Sequence, residues 1–312
     1  MYSRGICNRG LAALSAAFET NTFMIRLRIS ACNVDAQGFN VFLKALAQNE
    51  TLESVDASEN ALGSQATKHM ATVDWAALPP SVLFWTLRRC KLRASDVNAI
   101  AAALPAVPRM QLLDLSDNAC GEAAFNNLMT CVGDHENIAA LRLQWNSLGI
   151  GSGRAAAGML QKASCNLQLL DMSWNHLGDS GVSELCQGLK HTATLRRLFL
   201  SHNNMSSVGC KALASVMHES GGGAADVLEE LDVSYNNCRL RRVCVHAKFL
   251  FLHPHAWWQR QRSRGSPIRH LHQQPQSHAE SHQGWRRHCR CVQQVGVTLR
   301  RRRAAQRDEL AG

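Results

Sequence analysis

The chain switches repeatedly between two hydrophobic rhythms. In Leu195-Arg-Arg-Leu198-Phe-Leu200-Ser-His-Asn203, the leucines at 198 and 200 mark the inward face of a short strand, because strand side chains point to opposite faces in turn. In Gly178-Asp179-Ser180-Gly181-Val182-Ser-Glu-Leu185-Cys186-Gln-Gly-Leu189, apolar residues fall at i, i+3, i+4 and i+7, one face of a helix. Asp179 or Ser180 is placed to act as its N-cap. The helical spacing returns as Phe39…Phe42-Leu43…Leu46, as Val97…Ile100…Leu104 and as Leu213…Val216.

The strand phrase recurs in register, and self-similarity at a fixed period decides the architecture. On the template L-x-x-L-x-L-x-x-N/C-x-L, eight copies carry their Asn or Cys at Cys32, Asn60, Cys90, Asn118, Asn146, Asn175, Asn203 and Asn236. The steps between them are 28, 30, 28, 28, 29, 28 and 33 residues. A single such phrase is weak evidence, whereas eight at a near-constant period specify a stack of strand-plus-helix units. The Asn turns the chain inward, where its amide can bond the backbone of the neighbouring coil. Stacked Asn residues then form a ladder, in which Cys substitutes as a small buried group with a weak donor.

The phrase Leu170-Asp-Met-Ser-Trp-Asn175-His-Leu177-Gly178-Asp-Ser-Gly181 is similar to the LDLSxN-x-LG-x-x-G phrase of the ribonuclease-inhibitor-like leucine-rich-repeat family, whose long repeats carry Asn or Cys at the ladder position. The resemblance spans residues 5–238 and implies an α/β solenoid, a horseshoe with parallel strands on the concave face and helices on the convex face. Three features depart from the pattern. Val55 and Ala57 make a weak second strand, Pro79-Pro80 interrupts the run into the third, and Gly221 to Asp226 reads as an inserted surface loop. The array is incomplete at both ends: Gly10-Leu11…Leu14…Phe18 reads as the helix of a repeat whose strand is missing, and the pattern stops just after Cys238.

Charge divides the chain at the same place. The 312 residues carry a net charge of +10, but residues 239–312 hold 16 Lys+Arg against 3 Asp+Glu, which leaves 18 against 21 on residues 1–238. The expected domains are therefore a leucine-rich-repeat domain at 1–238 and a basic, disordered tail at 239–312. Three readings of the tail stay open: a disordered extension binding nucleic acid or acidic surfaces, an out-of-frame or intron-derived segment, or a makeshift cap through Val243…Leu252. His282, His288, Cys289 and Cys291 match no zinc spacing, so no metal and no cofactor is expected.

The 12 cysteines are spread thinly without a CxxC pair, which favours reduced thiols in the cytoplasm over a secreted disulfide framework. The first 18 residues lack the apolar core of a signal peptide, and Lys248 to His255 is too short to span a bilayer. No Walker loop, G-x-S-x-G or H-E-x-x-H is present, and the repeat accounts for the acids and histidines of the body. A binding protein is expected rather than an enzyme.

The candidate contact surface follows from the register. The residue before each ladder position sits at a strand exit, and this row reads Ala31, Glu59, Arg89, Asp117, Trp145, Trp174, His202, Tyr235. Strands about 4.8 Å apart put the last four in one stripe. Such rings either merely pack on one another or form the kind of aromatic surface on which binding energy concentrates. The row four before the ladder, which includes Asp171, Phe199 and Asp232, projects from the same face and reads as solvated and acid-leaning in its second half. These seven residues are the candidate partner-binding set for a protein-binding scaffold. Two alternatives stand beside it: a small-GTPase regulator resembling nuclear-transport GTPase activators, whose tails are acidic where this one is basic, and RNA association through the tail.

Overall fold

A computed structural model describes residues 7–47, 49–63, 72–118, 120–218 and 223–238. The tail, with the three readings given above, lies outside these residues. Eight three-residue strands, β1 (Arg26–Arg28), β2 (Ser54–Asp56), β3 (Phe84–Thr86), β4 (Leu112–Asp114), β5 (Ala140–Arg142), β6 (Leu169–Asp171), β7 (Arg197–Phe199) and β8 (Glu230–Asp232), form one parallel sheet in sequence order. Each pairs with the next exactly one repeat away, so that Leu141, Leu170, Leu198 and Leu231 lie side by side. Parallel neighbours need a crossover, supplied here by α2 (Ala36–Leu46), α3 (Ala94–Ala103), α4 (Glu122–Gly133), α5 (Ile150–Leu160), α6 (Gly178–Leu189) and α7 (Ser207–His218), with α1 (Asn8–Phe18) ahead of the first strand.

The central strand residues and the apolar faces of the helices share one core running from Leu11 to Leu231. Helices α5 and α6 approach so closely that a Cβ on Gly153 would lie 2.0 Å from the Gly181 carbonyl oxygen, which explains why small residues fill this contact. The opposite sheet face carries a small separate cluster of Leu112, Ala140 and Leu169, flanked by Phe84 and Phe199.

Between β2 and β3 the described residues hold a 3-10 turn (Trp75–Ala77), and the helix expected of this repeat falls on residues 64–71, outside the described residues. The Trp75 ring packs 6.1 Å from Phe39, which in turn meets Trp85 edge-on at 6.2 Å. Three expectations are corrected. The inserted loop ends in a helical turn, α8 (Ala224–Val227), because Ala224 is buried and anchors it. Cys210 and Cys238 are joined as a disulfide rather than both reduced: Cys238 occupies the seat of Met205 one coil earlier, which brings it over α7. Finally, neither Asp179 nor Ser180 caps α6, which begins one residue earlier, at Gly178.

Asp179 instead serves the next coil. Its carboxylate accepts from Ser206 N (2.8 Å), Ser206 Oγ (2.6 Å) and Gly209 N (2.8 Å) at the start of α7. The Ser206 hydroxyl bond, with the Gly209 and Ser206 amides, holds the Asp179 carboxyl below its ordinary value despite some desolvation. The ionised form is thus the one the fold prefers. Its contribution is complete above the ordinary aspartate range near ~3.9 and is lost as pH falls through the lower folded value. Urea midpoints across the acid range should therefore show a component at low pH that Asp179→Asn abolishes; identical pH profiles for the two chains would refute this.

Candidate functional site

The site is built on the ladder. The Asn175 amide accepts from the Asn146 and Leu148 backbone N–H groups (both 3.0 Å) and donates to the carbonyls of Leu143 (2.9 Å) and Met172 (2.8 Å). Asn60, Asn118 and Asn236 repeat the pattern, each taking two amides of the preceding coil on its oxygen, while Asn146 takes the Asn118 amide and Asn203 that of Leu177. At Cys90 the thiol donates to the Ala57 carbonyl (3.2 Å), and burial pushes its pKa up to about 12, so it stays a protonated structural group. The Cys32 thiol donates within its own coil, to the Ser30 carbonyl at 3.4 Å, as Cys90 also does to that of Arg88 at 3.5 Å.

The residue before each ladder position is left-handed in every coil, with φ of 58° at Trp145 and Trp174 and 54° at His202 and Tyr235. An L-residue pays about 1–2 kcal/mol for that conformation, and glycine would carry none of it, yet this row holds large rings. The strain comes with useful geometry. The backbone N–H of Trp174 donates to the Ser201 carbonyl (2.8 Å) and that of His202 to the Ser234 carbonyl (3.1 Å), so each ring leaves the turn at the same angle.

The four rings consequently stack. Centroids are 4.1 Å apart for Trp145–Trp174, 3.4 Å for Trp174–His202 and 4.3 Å for His202–Tyr235, with planes within 13° of parallel. The strip remains open to solvent: Trp145 is 45%, Trp174 39% and Tyr235 60% exposed. Burial within the stack lowers the His202 pKa, against the opposing charge of Asp232, so the imidazole is neutral at physiological pH. Earlier in the same row the composition is charged, and Arg89 Nε meets Asp117 Oδ2 at 2.7 Å.

The other three candidates do not join the strip. Asp171, expected to be solvated, is 7% exposed. It is bonded to Gln144 and to the Ser173 amide (3.0 Å), and burial pushes its carboxyl up against those bonds and the charge of Arg142. The sheet is crowded at this register, where Arg142 and Asp114 are buried as well. Phe199 leans on the Leu169 cluster, and the Asp232 carboxylate is engaged by the Ser234 amide at 2.8 Å. The sequence reading missed the reason these aspartates recur. Asp56, Asp114, Asp171 and Asp232 each accept from the amide two residues on, at Ser58, Ser116, Ser173 and Ser234. The repeated Asp-x-Ser phrase was visible and marks a clasp at the end of each strand, next to the turn.

Comparison with known proteins gives the same repeat. The Leucine Rich repeat family matches residues 163–186 and 191–214. The chain is 28% identical over 242 residues to NACHT, LRR and PYD domains-containing protein 12 of Homo sapiens, covering 76% of this chain and 22% of that protein. It is 27% identical over 215 residues to the ribonuclease inhibitor of Sus scrofa, covering 68% of this chain and 45% of the inhibitor. The chain thus spans less than half the length of these relatives. Among the described residues no helix is long and apolar enough to cross a membrane.

Proposed function

We propose that this chain, a leucine-rich-repeat solenoid of the ribonuclease-inhibitor-like kind, is a protein-binding scaffold whose partner docks on the sheet side of the array along Trp145, Trp174, His202 and Tyr235. One observation carries the proposal: four rings held in strained backbone form a continuous strip that stays open to solvent. Exposed aromatic surface of this kind concentrates binding energy. Asp232 borders the strip, whereas Asp171 and Phe199 contribute by holding the sheet beneath it. Cytoplasmic location is part of the same proposal and rests on thiol usage, since seven described cysteines are unpaired against one disulfide. No observation among the described residues favours the GTPase-regulator or RNA alternatives.

Trp145→Ala and Trp174→Ala are each expected to weaken the affinity for a partner recovered on the wild-type chain by about 2 kcal/mol or more. The melting temperature should change little, because the strip lies outside the core. Titration of the partner alongside thermal melts checks both expectations. A chain that melts early yet binds undiminished in its folded fraction would mean that the rings only pack on one another.

A further inference from the structure

The stack also constrains what chemistry the partner must present. Trp174 has Trp145 on one face at 4.1 Å and His202 on the other at 3.4 Å, and His202 is covered in the same way by Trp174 and Tyr235. Trp174 is 39% exposed with a ring stacked on each face, so its rim is the part of the ring that the stack leaves uncovered. An aromatic face is the electron-rich part of the ring, and the rim is the positive part. The strip thus withholds the ring faces that attract cations, while the carboxylate of Asp232 acts on it from beside His202. Among the described residues the outermost faces, of Trp145 and of Tyr235, carry no stacked ring, and Trp145 follows the Arg89–Asp117 ion pair in the exit row.

The rims carry donors as well. Each tryptophan has an indole N–H, the neutral His202 ring has one N–H and Tyr235 has a hydroxyl. Among the described residues none of these side-chain groups makes a hydrogen bond, while the backbone amides of Trp145, Trp174 and His202 are all paired. A row of donors with no acceptor among the described residues, set on a positive rim, fits a partner offering acceptors and electron-rich faces.

We infer that the strip recognises a peptide segment of a partner protein that lays an aromatic ring face across the stacked rims and offers carbonyl acceptors to the donors of Trp145, Trp174, His202 and Tyr235. This deepens the proposed function and rests on the strip being the contact surface.

A random dodecapeptide phage library panned on the full chain, with the Trp174→Ala chain as the parallel target, tests the inference. Peptides selected on the wild type but not on Trp174→Ala should be enriched in Phe, Tyr and Trp relative to the input library. For a selected peptide made synthetically, Trp174→Ala should raise Kd at least tenfold. Trp174→Phe keeps a stacked ring and its rim but loses the N–H, and should raise Kd by about three- to tenfold, the loss of one hydrogen bond. Circular dichroism of both variants establishes that they are folded. Trp174-dependent peptides with no enrichment in Phe, Tyr or Trp would overturn this chemistry while leaving the strip as the contact surface. Peptides indifferent to Trp174, or no selection at all, would overturn both. An unchanged Kd for Trp174→Phe would overturn the role of the donors.

Discussion

Trp85→Ala is expected to destabilise the solenoid by about 3–5 kcal/mol, the cost of emptying a large aromatic site in a core that only partly collapses. Trp85 takes the inward strand position that Leu113, Leu141 and Leu170 hold in later coils. Beside it Trp75, Phe39 and Phe42 form an aromatic cluster with ring contacts of 5.8 to 6.2 Å. Removing Trp85 leaves Phe39 without its edge-on neighbour. Trp85→Phe should cost far less, because the Trp85 indole N–H is buried with no acceptor among the described residues, so its loss removes a penalty as well as packing. Urea titrations of both variants, followed by circular dichroism, check the ordering. Equal losses for Phe and Ala would show that the site demands the full indole.

Asn175→Ala is expected to cost about 3 kcal/mol, the upper part of the range for leaving buried polar groups unpaired. The Asn175 amide makes five contacts of 2.8 to 3.1 Å with the backbone of its own coil and the one before it. Alanine removes this partner from two amides and three carbonyls in a site from which water is excluded, and the carbonyls of Met172 and Ser173 keep a second donor, from Asn203 and Trp145. Asn236→Ala should cost less, because Asn236 is only half-buried in the last described coil and its groups can find water. In a linear array each coil is stabilised by its neighbours, so the Asn175 loss should appear as faster amide exchange in β5 and β6 before it appears in β1. A uniform rise in exchange across all eight strands would contradict nearest-neighbour coupling.

The sequence by itself determined the coil number, the register and the inward positions. Each follows from a period that repeats eight times, and each strand contributes the middle residue that the template marks: Leu27, Val55, Trp85, Leu113, Leu141, Leu170, Leu198 and Leu231. The stripe of Trp145, Trp174, His202 and Tyr235 was legible for the same reason, because residues one period apart become neighbours. Three features needed the tertiary structure. Asp179 looks like the cap of its own helix, yet the start of α7 lies within reach of its carboxylate and binds it across the coil boundary. Asp171 looks exposed by alternation, but the crowding of Arg142, Gln144 and Leu169 around it removes water. The parallel stack, with its faces hidden and its rims displayed, depends on a left-handed turn in each coil and on sheet spacing close to the thickness of a ring. Periodicity states which residues are adjacent; only backbone angles and distances state which edge of a ring meets the solvent.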